Sequence, residues 1–250
     1  MIELRDVHKK FGRHVVLDGV DFAVKRGETV ALLGPSGTGK SVLLKHIIGL
    51  LLPDSGDVFV DGLSVPHLSR GDLAKLRQKV GYAFQTGALF DSMSVYENVR
   101  LGIADELCYR DRGFCDNRVA ECLRLVNLTP DVGRLMPAQL SGGMRKRVGI
   151  ARAIAGQPEY LLYDEPTSGL DPVNADSMDA LIERLQHELH VTSIVVSHDV
   201  RGSFKVADRI ALLHNGKIRK VGTAEEFVAA KDEVVREFLE RDFQVLEVEA

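Results

Sequence analysis

A chain of 250 residues with 45% apolar content can bury a full core, as one domain or two. A formal net charge of −4 gives no global pull toward nucleic acid. No apolar run approaches the roughly 20 residues that cross a bilayer, so the chain is expected to be soluble and to reach a membrane only through a partner.

Short β-type runs come first: Ile2–Val7, Val15–Val24 and Thr29–Leu33, punctuated by Gly12, Gly19 and Gly27. A glycine-rich loop follows, then a helix from about Lys40 to Gly49. Pro53, Gly56 and the Asp61-Gly62 pair bracket a hairpin around Val58–Val60. A polar helix from about Ser69 to Gln78 leads to a strand at Val80–Phe84. From Thr86 to about Gly156 the pattern turns helical, which reads as an inserted subdomain. Within it, Cys108, Cys115 and Cys122 form no CxxC pair, and with no signal-like opening stretch they fit a reducing compartment. They read as small buried residues, and Gly113 argues against one helix through all three. The basic run Arg145-Lys146-Arg147, with Arg152 nearby, reads as the solvated face of a helix. Strands resume at Tyr160–Tyr163 and Ser193–Val196, around a helix opened by Asp171-Pro172. Asn215-Gly216 joins Ile210–Leu213 to Lys217–Val221 as a hairpin. Helical patterns fill Ala224 to about Glu240. The acidic helix at about Asp232–Glu240 is expected to cap the subunit, the alternative being contact with a second subunit or a regulator. No internal repeat occurs, so one copy of one module is expected.

The chemistry concentrates in a few stretches. Gly34-Pro35-Ser36-Gly37-Thr38-Gly39-Lys40-Ser41 matches G-x-x-x-x-G-K-[ST] between an apolar strand and a helix, the context that pattern requires. Its glycines let backbone N–H groups approach phosphates, and the helix N-terminus adds donors and a positive dipole end. Lys40 would reach the outer phosphates and the Ser41 hydroxyl would ligate Mg²⁺. Tyr160–Tyr163 continues into Asp164-Glu165. Ligands of parallel sheets bind at the carboxyl ends of strands, so Asp164 is a candidate metal partner and Glu165 a candidate base for water. Gln85 and His198 follow two other strands in the same manner. Gln85 could sense metal or water, and His198 could contact the γ-phosphate. Leu140-Ser141-Gly142-Gly143-Met144 opens a further helix and supplies a second anion-binding terminus that the chain's own nucleotide need not use.

Together these residues resemble the ATP-binding subunit of an ABC transporter, over essentially the whole chain and in the family's order. The resemblance implies an α/β P-loop NTPase fold with a mixed-sheet core, an N-terminal antiparallel β subdomain and an inserted helical subdomain. Residues 1–85 and 157–231 would form the core with its β subdomain, 86–156 the helical subdomain, and 232–250 a C-terminal helix and acidic tail. It implies that Phe11 stacks on adenine and that Gly34–Ser41 holds the phosphates. Ser141, Gly142 and Gly143 would be the signature. Ser41, Gln85 and Asp164 would serve Mg²⁺, with Glu165, His198 and Gln85 catalytic. Ser168-Gly169-Leu170-Asp171 resembles the loop that crosses the dimer interface. Two copies would pack head to tail, each signature completing the partner's ATP site, so that ATP closes the dimer and hydrolysis opens it. Met144 departs from the glutamine common at the end of the signature, while the phosphate-holding Ser-Gly-Gly is intact.

A closer resemblance is to the ATPase of Mla/Mce-type lipid transporters. It rests on Phe84–Phe90, Leu135-Met136-Pro137, Leu140–Met144, Val195–Asp199 and Val235–Leu239. It implies transmembrane permease subunits, a Mce-type lipid-binding subunit and in some systems a small regulatory subunit. The chain would then lie in the cytoplasm, peripheral on the inner membrane, with Gly87–Phe90 docking the permease. An ABC ATPase serving another importer or exporter is the alternative. A nucleic-acid or ribosome factor fits poorly, because neither a second cassette nor an extended basic stripe is present.

Overall fold

The computed structural model describes residues 1–247, apart from the side chains of Tyr109, Arg110, Arg112 and residues 241–247. In chain order it runs β1 (Ile2–Phe11), β2 (His14–Val24), β3 (Thr29–Leu33), α1 (Lys40–Ile47), β4 (Ser55–Val60), β5 (Leu63–Ser64), α2 (Arg70–Gln78) and β6 (Val80–Ala83). Then come α3 (Val95–Arg100), α4 (Asp105–Arg110), α5 (Arg112–Leu125), α6 (Gly142–Ala155), β7 (Tyr160–Asp164) and α7 (Pro172–Leu189). The chain finishes with β8 (Thr192–Val196), α8 (Val200–Val206), β9 (Arg209–His214), β10 (Lys217–Gly222), α9 (Ala224–Val228) and α10 (Glu233–Glu247). These elements form two compact units, Met1–Leu73 with Thr192–Ala250, and Ala74–Val191.

The first unit carries two sheets. One is antiparallel in the order β2-β1-β4-β5, and the other runs β10-β9-β3-β8. Strand β3 pairs in parallel with β8 and β9, and β10 closes antiparallel on β9, so this sheet is mixed. All five residues of β3 and of β8 are buried. That explains why both read as continuous apolar runs without alternation. On one face, Ala31, Leu33, Ile210 and Leu212 pack against Val200, Phe227, Val235 and Leu239 of the last three helices. Helix α10 thus seals the core through Val235 and Leu239, the capping role expected of the acidic end segment.

In the second unit β6 pairs in parallel with β7, Ala83 opposite Tyr163. Helices α3, α5 and α6 pack together beside this pair. Helix α6 is the centre of the unit. Its face of Val148, Gly149, Ile150, Ala151, Ile154 and Ala155 is buried. Gly149 is required by packing, since a Cβ there would lie 2.9 Å from the Cα of Gly87. The last turn of α6 is capped from α5. The Arg118 side chain, 6% exposed, donates from Nη2 to the Ile154 carbonyl at 2.7 Å and from Nε to that of Ala155 at 3.1 Å. A buried cation there satisfies orphan carbonyls and opposes the negative helix end.

One expectation needs correction. No single helix runs through the three cysteines, as expected, but the break falls at Asp111, which ends α4 and caps α5 by accepting from the Phe114 N–H, and Gly113 lies inside α5. The reversal at Asp111 brings the Cα atoms of Cys108 and Cys115 to 5.3 Å, and the two are joined as a disulfide rather than standing as separate thiols. Both are buried as expected, and so is the free Cys122, whose thiol burial pushes up to about 11.

Replacing Arg118 by Met keeps the alkyl stem but takes its side-chain donor from the Ala155 carbonyl and one of the donors from that of Ile154, which keeps the Gln157 N–H. It should lower unfolding stability by about 2 kcal/mol, read as a fall in midpoint denaturant concentration. An unchanged midpoint would show that the cap contributes nothing.

Candidate functional site

In the first unit, the sequence-marked residues follow the carboxyl ends of β3, β8 and the start of β1's hairpin turn. Strand β3 runs directly into Gly34–Ser41. The loop is shaped by Gly37 and Gly39, whose φ values of +81° and +101° are left-handed. Gly39 also lies so close to β2 that a Cβ would stand 2.6 Å from Val16 Cγ1. The Thr38 hydroxyl donates to the Pro35 carbonyl at 2.8 Å, bracing the loop from inside. Lys40, 4% exposed, donates from Nζ to the Gly34 carbonyl at 2.7 Å and to that of Pro35 at 3.0 Å. Its ammonium is therefore held within the loop's own curve. Ser41 is the second residue of α1, where its hydroxyl stands at a helix start rich in unsatisfied donors. His198 is exposed just beyond β8, followed by Asp199, which caps α8 by accepting from the Gly202 N–H at 3.1 Å. Phe11 is 48% exposed at the end of β1, with Lys9 Nζ 5.6 Å from its ring centroid. An exposed ring at that place is free to stack on a planar ligand.

The second unit gathers Gln85, Asp164 and Glu165. Asp164 is 7% exposed, and its Oδ2 accepts from the Tyr82 hydroxyl at 2.9 Å. Burial, with the Asp164 charge beside it, pushes the Tyr82 phenol far above its ordinary range, so Tyr82 remains a donor. Glu165 follows with a φ of +49°. Its Oε2 accepts from Gln85 Nε2 at 3.1 Å, and the same nitrogen lies 3.4 Å from Ser168 Oγ. The Glu165 carbonyl accepts from Lys146 Nζ at 3.1 Å and from the Ser168 N–H at 3.3 Å. Burial lowers the Lys146 ammonium below the usual lysine range, and the Glu165 charge opposes that shift.

The Ser-Gly-Gly turn opens α6. Ser141 caps it by accepting from the Met144 N–H at 3.2 Å. A recess of ≈ 440 Å³ lies in front, lined in part by Ser141, Gly142, Gly143, Arg147, Asp171 and Asn174. Gly142 is informative here. A Cβ built on it meets nothing within 4 Å, and its φ is not positive. Neither the packing nor the backbone of its own chain requires a glycine at that place.

The basic run after the turn is solvated only in part: Arg145 is exposed, while Lys146, Arg147 and Arg152 are half-buried. Arg145 Nε donates to the Leu140 carbonyl at 3.3 Å, and Lys146 reaches Glu165. Arg147 donates to the Val126 carbonyl at 3.1 Å and to Ser177 Oγ at 3.0 Å. Arg152 donates to the carbonyls of Gly87 and Ala88 at 2.8 and 2.9 Å. Backbone carbonyls of neighbouring loops outcompete water for these donors, a tertiary effect no charge pattern announces. Tyr82 and Lys146 are the residues that sequence reasoning missed. Tyr82 sits two places before the strand's predicted end among apolar neighbours, and Lys146 is hidden in the run.

In the second unit the Asp164 carboxylate and the Gln85 amide are oxygen donors of the hard type that suits Mg²⁺, and in the first the Ser41 hydroxyl is another. Among the described residues, no group of three or more His, Cys, Asp or Glu side chains could hold a metal. Donors of this kind suit a divalent ion that borrows ligands from substrate phosphates better than one caged by protein alone.

Comparison with known proteins agrees with this geometry. Residues 17–168 match the family model described as "ABC transporter". The chain is 38% identical over 239 residues to the intermembrane phospholipid transport system ATP-binding protein MlaF of Haemophilus influenzae, covering 96% of this chain and 90% of that one. It is 41% identical over 225 residues to the sulfate/thiosulfate import ATP-binding protein CysA of Synechocystis, covering 90% of this chain and 61% of the longer relative. A dimeric post-hydrolysis structure of the ATP-binding cassette MJ0796, bound to ADP and Pi, superposes with a TM-score of 0.79 at 34% identity. It covers 89% of this chain and 98% of that cassette.

Tyr82→Phe would take from the buried Asp164 Oδ2 the phenol hydroxyl that donates to it at 2.9 Å. A loss of about 1–3 kcal/mol of unfolding stability is expected by denaturant titration, and wild-type stability would show that Asp164 is satisfied without the phenol.

Proposed function

We propose a function from one premise: the chain belongs to the ABC transporter family, as an ATP-hydrolysing subunit. We infer that it works as a homodimer, bound to transmembrane permease subunits at the cytoplasmic face of the inner membrane, and that it powers movement of phospholipids or related lipids. The observation that carries the dimer is Gly142. A glycine that its own chain does not need, at a capped helix N-terminus facing an open recess, is explained if a phosphate of the partner's nucleotide approaches there.

In this reading Phe11 stacks on adenine, and Gly34, Pro35, Ser36, Gly37, Thr38 and Gly39 cradle the phosphates by backbone N–H groups. Lys40 takes the outer phosphates. Ser41, Asp164 and Gln85 hold Mg²⁺, which when bound neutralises charge on the β- and γ-phosphates. Glu165 orients and deprotonates the attacking water, Gln85 aims the Glu165 carboxylate, and His198 contacts the γ-phosphate. Ser141, Gly142 and Gly143 serve the nucleotide of the other copy. ATP binds the closed dimer more tightly than the open one, so hydrolysis and phosphate loss release the closed state. The solved relative is dimeric with ADP and Pi, which supports this cycle.

The lipid reading is supported by the phospholipid-system relatives that align over nearly the whole of both chains. A Mce-type lipid-binding subunit and a small regulatory subunit would then complete the assembly. The sulfate-import relatives, equally similar in identity, keep an ABC importer of another substrate as a second reading.

Glu165→Gln should retain ATP binding, lower turnover by roughly a hundredfold or more and accumulate an ATP-bound dimer on size exclusion. Hydrolysis at the wild-type rate would sink the base assignment. Ser141→Arg should bind ATP yet fail to hydrolyse it, and a fully active monomer would end the composite-site reading. For the substrate, the chain would be assembled in proteoliposomes with the permease encoded beside its gene. ATP-dependent movement of a fluorescent phospholipid supports the lipid reading, and uptake of sulfate without lipid movement replaces it.

A further inference from the structure

The conformation of Glu165 is one its own sequence resists. Its φ of +49° is left-handed, which costs a residue with a Cβ about 1–2 kcal/mol. The next residue is Pro166, and the position before a proline is pushed by sterics toward extended backbone. Such a conformation persists only where its surroundings over-determine it. Three donors do so. Gln85 Nε2 holds the carboxylate at 3.1 Å, and the Ser168 N–H and Lys146 Nζ hold the carbonyl at 3.3 and 3.1 Å. The Lys146 contact is charge-assisted and partly buried, the stronger kind.

Lys146 belongs to the first turns of α6, five residues past the Ser141 cap. The same helix also grips the segment that carries Gln85. Arg152 donates to the Gly87 and Ala88 carbonyls, and Gly149 lets α6 lie against Gly87 without a side chain between them. Helix α6 therefore reaches both ends of Glu165. It touches the carbonyl directly through Lys146, and the carboxylate through the glutamine loop.

We propose that Lys146 is a positioning residue for the catalytic carboxylate. By holding the Glu165 carbonyl, it fixes the left-handed turn that aims Oε2, and it ties that aim to the helix whose N-terminus meets the partner's nucleotide. This rests on the reading of Glu165 as the base. Lys146 acts through the Glu165 backbone carbonyl and not on the reacting atoms. Its loss leaves ATP affinity intact and lets the Glu165–Pro166 peptide relax toward the extended conformation proline favours.

The test is steady-state hydrolysis by full-length Lys146→Met, Lys146→Gln and Lys146→Arg, beside Glu165→Gln. Methionine keeps the stem and removes the donor, and arginine restores a donor of similar reach. Expected are a kcat lowered roughly tenfold or more in the Met and Gln variants, KM for ATP within about twofold of wild type, and substantial recovery in the Arg variant. Lys146→Met placed on Glu165→Gln should leave the ATP-bound dimer population unchanged, because the base it positions is already gone. If Met and Gln variants that melt like wild type turn over at the wild-type rate, the proposal is overturned. It is also overturned if KM rises by the factor kcat falls, if arginine restores nothing, or if the double variant no longer dimerises. If the Met variant does not fold, the Gln variant is read by the same criteria. Glu165→Gln hydrolysing normally would instead overturn the reading on which this one rests.

Discussion

The second unit depends on how completely α6 is committed. Its N-terminus is capped by Ser141, and its C-terminal carbonyls by the buried Arg118. Its apolar face is the centre of the helical packing, and its basic side chains reach the backbone of Leu140, Val126, Glu165, Gly87 and Ala88. A helix anchored in so many directions cannot turn or slide alone, because packed interiors resist continuous deformation. Whatever binds at its N-terminus is therefore felt at the loops it holds. The Ser141-Gly142-Gly143 turn and the Glu165 strand end are held by one helix, though about twenty residues of sequence separate them.

Two glycines on the same helix show how structure separates internal from external requirements. Gly149 is explained from within, since the Cα of Gly87 occupies the space a Cβ would need. Gly142 is not, since nothing of its own chain comes near. In a sequence both are simply small residues in a helix, each costing about 1 kcal/mol against alanine. Only the packing tells which one its own chain requires.

Much of the fold was legible because its local signals and its tertiary environment agree. The fully buried β3, β7 and β8 each carry an uninterrupted apolar run, with polar residues only at their ends, Asp171-Pro172 caps α7 as read, and the Asn215-Gly216 turn joins β9 to β10. The glycine loop was legible because its spacing carries its own physics. What escaped were effects of distance. The Arg145–Arg147 run looks like a wet surface because carbonyls that accept from it lie up to 21 residues away in the chain, and those that accept from nearby Arg152 up to 65. Tyr82 looks like one more strand aromatic until Asp164, 82 residues on, is found at its hydroxyl. The Cys108–Cys115 bridge depends on the break at Asp111, for which no glycine or proline gives a local signal.

The same distinction bears on the transported substrate. Relatives of this chain serve phospholipid and sulfate systems at 38% and 41% identity, so similarity over the cassette barely separates the two. The physics accounts for this. Every residue with a chemical role here is suited to phosphate, metal, water or backbone, and those ligands are the same whatever is carried. On the reading proposed above, a lipid and a sulfate ion differ where they are bound, in the permease and its accessory subunits. What this chain can pass to such partners is a motion whose timing is set by ATP. The Gly87–Ala88 segment, clamped to α6 by Arg152 and continuous with Gln85, is built to move with the catalytic apparatus rather than independently of it. Information about the substrate would then enter in the opposite direction, as a force on that segment, and would be read out at Glu165.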